Sequence, residues 1–365
     1  MANATIHDVA AQARVSIKTV SRVINNVQTV KPHTRERVMK VIRKLDYHPN
    51  PSARGLGGSH SYLIGLLYDL SCDYYATSVL AGVLETCRAA HYQVVMHPCD
   101  YRSANLAAEV SRNVRHSRTA GVIVTPPLSD QKSLIAALEQ QQVPYIRIAP
   151  AEHSDAKRSV YTNDRYSCAQ MTEQLAALGH TRIGFIVGNP DHAAIADRYK
   201  GYQDGLRACG LKLDKKLVAQ GYNSYESGIQ AGRQLLQVPE EKRPTAIFAS
   251  NDEMAAGVLS VAHNMGLAVP EDLSVAGFDD VPLASQVWPT LTTIRQPIPA
   301  MASQAAQLLF RQLRGEAADA TSHIIQSTLT FRQSTGPARN RNMVERARNR
   351  RRAKAQAGER SVVES

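Results

Sequence analysis

The chain has 365 residues, enough for more than one domain, with 43% of them hydrophobic and a formal net charge of +11. Residues 1–60 carry ten lysines and arginines against three acidic residues, and residues 338–365 carry nine against three, so the long middle is slightly acidic. Positive charge at the two ends favours a polyanion over a membrane as partner. No run of eighteen apolar residues could span a bilayer, and no charged-then-apolar leader opens the chain, so the expected location is cytoplasmic with no membrane partner. The five cysteines, Cys72, Cys87, Cys99, Cys168 and Cys209, lack CxxC spacing and read as buried thiols in a reducing compartment.

In chain order, Thr5–Asn26 reads as two short helices joined by a tight turn. Ile6, Val9 and Ala10 share one face of the first; Thr5 stands at its N-cap and Asp8 in its first turn, where the helix dipole favours a carboxylate. Val15 breaks the phase. Ser16 then caps a second helix whose Val20, Val23 and Ile24 face inward, leaving Ile17, Lys18, Ser21 and Arg22 on the opposite side. That is the geometry of a helix-turn-helix reader of the DNA major groove; an ordinary helical hairpin with a solvated basic face is the plainer alternative. Thr34–Leu45 forms a third helix with Val38, Val41, Ile42 and Leu45 at core spacing.

From Ser61 the texture changes. The runs 62–68, 92–98, 120–126 and 144–150 are short and apolar, separated by amphipathic stretches such as 76–90 and 105–116; a second set follows at 181–188, 245–252 and 273–280. Alternation of this kind predicts parallel sheets covered on both faces, in two lobes, with a small-molecule cleft at the carboxyl ends of the strands. Asp69, Tyr74 and Tyr75 follow the first strand, while Asn251 with Asp252 and Asp279 with Asp280 end two others; Asp252 and Asp280 are expected to cap the helices that follow. Carboxylates, an amide and a guanidinium beside aromatic rings suit a polyol. GxSxG, a phosphate loop and HExxH are absent, so neither an enzyme nor a cofactor or metal site is expected. The arginine-dense tail, 337–365, has the composition of a disordered extension.

The ordered motifs T-I-H-D-V-A, V-S-x-x-T-V-S-R-V-I-N, Y-H-P-N and A-R-x-L-x-G, followed by LAALGHTRIGFIVG, DRYKGYQDGL, ASNDEMAAG, LAVPEDLSVAGFDD and WPTLTTIRQP, resemble the LacI/GalR family of bacterial transcriptional repressors over about residues 4–336. The resemblance implies an all-α helix-turn-helix head (1–49), a hinge helix (50–60) and an α/β two-lobed effector domain of periplasmic-binding-protein type (61–336). The lobes would comprise 61–160 with 292–321 and 161–291 with 322–336, and the chain would cross between them near 160, 291 and 322. It implies base contacts from Ile17, Lys18 and Arg22, and phosphate contacts from the short polar groups Thr5, Ser16, Ser21, Asn25 and Thr34, of which Thr5, Ser16 and Thr34 also cap helices. Asn50, Ala53 and Leu56 belong to the hinge, where Leu56 matches a minor-groove wedge. Gly55 lies inside that hinge and costs a helix about 1 kcal/mol relative to Ala, so the hinge is expected to fold only on DNA. Effector contact is implied for Tyr74, Tyr75, Arg198, Asn251 and Asp279; Asn163 and Asp164, beside the first crossover, and Trp288, beside the second, are further candidates. The expected protein is a homodimer on double-stranded palindromic operator DNA, released by a mono- or disaccharide. A purine-like corepressor and a sugar-binding protein without a transcriptional role are the alternatives.

Overall fold

The computed structural model describes residues 4–24, 29–47, 61–69, 73–151, 155–316 and 323–339. The chain divides into a small N-terminal unit and a larger α/β unit. Among the described residues, no helix is long and apolar enough to cross a membrane.

The N-terminal unit holds α1 (Ile6–Ala13), α2 (Ile17–Ile24) and α3 (Pro32–Lys44). Thr5 and Asp8 form a reciprocal capping box: Asp8 N donates to Thr5 Oγ1 at 3.4 Å, and Thr5 N to Asp8 Oδ2 at 2.8 Å. Arg14 ends α1 in the left-handed region, at φ 50°, which turns the chain sharply into α2. Ser16 Oγ then accepts from Thr19 N at 3.2 Å, capping α2. Val9, Ala10, Ala13, Val20, Val23 and Val38 form the small core, with Val41, Ile42 and Leu45 packed against it. The third helix begins two residues before the predicted Thr34, because Pro32 can open it: its missing N–H is one of the unsatisfied donors anyway. Thr34 therefore sits inside the first turn and is not the cap. The cap position is Lys31, whose side chain makes no capping bond.

The larger unit is two six-stranded sheets. The first, in the order β11-β5-β4-β3-β1-β2, contains β1 (Leu63–Asp69), β2 (Gln93–Cys99), β3 (Gly121–Val124), β4 (Tyr145–Ile148), β5 (Ser159–Thr162) and β11 (His323–Ile325). The second, in the order β12-β10-β9-β8-β6-β7, contains β6 (Ile183–Val187), β7 (Val218–Gln220), β8 (Ala246–Ala249), β9 (Ser274–Asp279), β10 (Thr292–Arg295) and β12 (Thr328–Thr330). β3, β4, β5 and β11 run parallel to β1, while β12 is antiparallel to β10. Every residue of β3 (GVIV) and β8 (AIFA) is buried, as a strand covered on both faces requires.

Helices α4 (Asp73–Ala89), α5 (Leu106–Ser117), α6 (Lys132–Gln140) and α12 (Ile298–Leu313) belong with the first sheet; α7 (Asp164–Ala177), α8 (Ala194–Ala208), α9 (Tyr225–Leu236), α10 (Asp252–Asn264) and α11 (Leu283–Gln286) belong with the second. The chain passes between the sheets at 163, 296–297 and 326–327, a few residues after each predicted position. The displacement has one cause: β5, β10 and β11 are three- or four-residue strands (SVYT, TTIR, HII) with too little apolar run to be recognised. β10 therefore belongs with the second sheet and His323–Ile325 with the first, the reverse of the lobe boundaries expected there. Cys87, Cys99 and Cys168 are buried thiols as expected, but Cys209, beyond the end of α8, is exposed; Cys72 lies outside the described residues.

Candidate DNA-reading face and effector cavity

On the N-terminal unit, α2 turns Val20 and Val23 into the core and Lys18 and Arg22 outward. Ile17 stays 41% exposed on the first turn, an apolar side chain with no core to fill. Thr5 and Ser16 are exposed and already engaged as caps, whereas Ser21 and Thr34 are half-buried. Asn25, Asn50, Ala53 and Leu56, the hinge and the tail beyond 339 lie outside the described residues.

In the larger unit, a cavity with about 560 Å³ of atom-free space, partly open to solvent, lies between the carboxyl ends of the two sheets. Its wall includes Tyr75, His192, Arg198, Asn223, Asn251, Asp279 and Gln296, with Pro126, Ala149, Ala194 and Ile195 supplying apolar surface. Arg198 is its electrostatic centre. From the first turns of α8, its Nε donates to Asp164 Oδ2 at 2.8 Å and its Nη1 to the Ser250 carbonyl at 2.6 Å. Its guanidinium lies 3.6 Å from the centroid of the Phe278 ring, and Nη2 is 3.3 Å from Asp279 Oδ1. Burial works against this cation, but Asp279 and Asp164 outweigh it and hold the group charged.

Asp279 ends β9 with φ 105°, in the left-handed region that a side chain normally avoids. Burial pushes its carboxyl up to about 6, opposed by Arg198. The ion pair is close but poorly aligned for a hydrogen bond, so Asp279 Oδ1 is a buried acceptor with capacity for a further donor. Gln296 is the second such group. It is 4% exposed, its Nε2 donates weakly to Thr162 Oγ1 at 3.4 Å, and its Oε1 has no donor. Buried acceptors without donors are uncommon in folded proteins, and these two share a cavity wall.

Four of the nine expected effector residues, Tyr75, Arg198, Asn251 and Asp279, come together on the wall. Asn251 is there with both ends of its amide engaged: Oδ1 accepts from Met254 N at 3.0 Å, capping α10, and Nδ2 donates to the Asn223 carbonyl at 2.9 Å. The capping role expected of Asp252 thus falls to its neighbour. Asp252 is instead fully buried, accepting from Thr293 Oγ1 at 2.6 Å and Val281 N at 3.0 Å, and burial pushes its carboxyl well above the usual range. Asp280 does not cap either; it pairs with Arg295 and Arg332, both at 2.6 Å.

The other five expected effector residues are not part of the wall. Asp164 is spent on Arg198, which makes it a support. Asn163 ties two crossovers together, donating from Nδ2 to Gln326 Oε1 at 2.6 Å and accepting from Ser327 N at 2.7 Å. Asp69 is buried at the end of β1 without reaching the cavity, and Tyr74 is 40% exposed outside it. Trp288 is 82% exposed, because its neighbour Val287 takes the packing position against the second lobe's core.

Sequence reasoning missed His192, Asn223 and Gln296. Gln296 sits in the motif WPTLTTIRQP, directly after a strand, and that position was its signal; His192 and Asn223 lie in turns with no periodic pattern. His180 is buried and bonded to Thr245, Ser274 and the Gly336 carbonyl, a structural role. Among the described residues, no cluster of His, Cys, Asp and Glu is placed to hold a metal.

Bacterial regulatory proteins, lacI family, match residues 5–50, and the periplasmic binding protein-like domain matches residues 172–335. Catabolite control protein A of Priestia megaterium is 32% identical over 335 residues, covering 91% of this chain and 99% of that protein. Among solved structures, the lac repressor dimer bound to operator and the anti-inducer ONPF is similar, with TM-score 0.75 and 28% identity, covering 92% of this chain and 100% of that one. The complex of the transcriptional regulator CelR with cellobiose is also similar, with TM-score 0.69 and 29% identity over 91% of this chain and 99% of that one. The chain belongs to the LacI family of bacterial transcriptional regulators and is not an enzyme.

Proposed function

We propose that this chain is a cytoplasmic homodimeric repressor that binds a palindromic operator and is released by a neutral mono- or disaccharide held between the lobes. The observation that carries the ligand class is the pair of buried acceptors, Asp279 Oδ1 and Gln296 Oε1, on one wall. Buried acceptors with capacity for further donors favour a ligand that brings hydroxyl groups. The charges on that wall, Arg198 and Asp279, offset each other, which favours an uncharged ligand. Cellobiose in the similar CelR structure is consistent with this class.

In this reading the head is 1–49, the hinge 50–60, the two-lobed body 61–336 and the basic tail 337–365. Lys18 and Arg22 donate to guanine edges, Ile17 meets a thymine methyl, and Thr5, Ser16, Ser21, Asn25 and Thr34 contact phosphates. Two heads on a two-fold axis read the two half-sites, with Asn50, Ala53 and Leu56 at the centre. The dimer in the similar lac repressor complex supports that arrangement. A sugar shifts operator affinity only through its differential affinity for the two lobe arrangements.

Calorimetric titration of the full chain with neutral mono- and disaccharides, and with purines as the contrasting class, tests the ligand assignment. One saccharide should bind, and Asp279→Asn should weaken it at least tenfold. Binding of a purine alone would replace the inducer with a corepressor.

A further inference from the structure

The two sheets present corresponding edges. β5 and β11 lie at one edge of the first sheet, β10 and β12 at the matching edge of the second, and all three crossovers emerge there. Side chains stitch the crossovers together: Asn163 bonds to Gln326 and Ser327, and Gln296 to Thr162. This edge is the hinge. At the far side, β2 is the last strand of the first sheet and β6 lies one strand from the end of the second. Any rotation about the hinge separates the lobes most at that far side.

A direct hydrogen-bonded contact between the lobes lies there. Tyr101, just beyond β2 and 9% exposed, donates from its hydroxyl to Asp191 Oδ2 at 3.0 Å. The Tyr101 hydroxyl oxygen in turn accepts from Asn189 Nδ2 at 3.3 Å and from Arg102 Nε at 2.9 Å, while Arg102 Nη2 lies 3.9 Å from Asp191 Oδ2. Asn189 and Asp191 form the turn after β6, held by Asp191 N donating to Asn189 Oδ1 at 3.0 Å. The phenol thus uses its donor and both acceptor sites, two of the three with the opposite lobe.

We propose that Tyr101 is a clasp that holds the lobes closed at the side opposite the hinge. Its partners connect it to the effector cavity. His192 lines the cavity and meets the Tyr101 ring edge-on, with centroids 6.5 Å apart. Asn223 also lines the cavity, and its Oδ1 accepts from Asn189 N at 3.1 Å. A ligand that moves His192 or Asn223 therefore acts directly on the parts that position the clasp. The clasp sets how far the empty protein is already closed, and so the differential affinity available to any ligand.

The test needs no ligand, so its failure is distinct from failure of the saccharide assignment. Spin labels on genetically encoded ketone side chains at Ala108 on α5 and Lys212 beyond α8, both exposed, report the distance between lobes in the full chain. Tyr101→Phe keeps the ring and removes only the hydroxyl; Asp191→Ala removes the partner from a half-exposed site. Each should lower the closed-to-open ratio about tenfold, the weight of one hydrogen bond to a charged group. The double variant should open less than the sum of the two single ones, because the Tyr101–Asp191 bond is lost in both. Distance distributions in both single variants identical to the parent would overturn the proposal, as would additive opening in the double variant.

Discussion

At the scale of single residues, the cavity wall combines groups the fold fully engages, such as Asn251, with acceptors it leaves open. Gln296 Oε1 is buried without a donor, so Gln296→Leu should leave thermal stability unchanged or raise it while weakening saccharide binding at least tenfold. A melting temperature several degrees lower would mean that the amide serves the fold. The wall also contains two groups with opposite dependence on pH. Burial pushes Asp279 up to about 6, so the folded state binds more protons than the unfolded chain between about pH 4 and 6. Its contribution to stability is greatest below that window and is lost as pH rises through it. Burial lowers His192 to about 4, so its contribution runs the other way, present above about 6.5 and lost as pH falls toward 4. In denaturant unfolding between pH 4 and 6, Asp279→Asn should gain stability relative to the parent as pH rises, by on the order of 2 kcal/mol. His192→Gln should lose relative stability over the same rise, and parallel pH profiles in either variant would contradict the assignment. Arg198, Asn251 and Asp279 were legible because each stands in a motif or at a strand end. His192 and Asn223 were not, since their roles come from two turns that approach only after the second sheet has formed.

At the scale of elements, the packing depends on a few close approaches. A Cβ at Gly277 on β9 would fall on the carboxylate of Asp252, which is already fixed by Thr293 and Val281. Gly277→Ala should cost about 2–3 kcal/mol, as overpacking of a core does. Gly210 has open space at its Cβ position but φ 68°, so Gly210→Ala should cost about 1 kcal/mol from backbone strain alone. Equal losses at the two positions in denaturant unfolding would remove the steric argument. In the head, Thr5→Ala should destabilise the helical unit by about 1 kcal/mol, since Thr5 closes a capping box. Thr34→Ala should change it by less than about 0.5 kcal/mol, because Thr34 lies within the first turn of α3. Calorimetry of the full chain, following the head's transition, separates the two. β1–β4, β6, β8 and β9 were legible as apolar runs. β5, β7, β10, β11 and β12 were not: unlike the four-residue β3 and β8, none is wholly apolar, most are rich in Ser, Thr or His, and their pairing depends on distant partners.

At the scale of the whole molecule, three passages of the chain between two sheets place a cavity at the strands' carboxyl ends, with a stitched edge on one side and the Tyr101 contact on the other. Ligand sites between two lobes generally close by hinge movement of the lobes as units. In the proposed function, filling this cavity with a neutral saccharide releases the protein from its operator. Fluorescence anisotropy of the full chain on a palindromic fragment from the gene's own upstream region tests it most directly, at fixed salt because phosphate contacts make affinity salt-dependent. The measurement is repeated with each saccharide and each purine of the panel. One saccharide should lower operator affinity at least tenfold in the parent and have no such effect in Arg198→Ala, which should still bind the DNA. Tightening of the complex by a ligand, or release that survives Arg198→Ala unchanged, would contradict it.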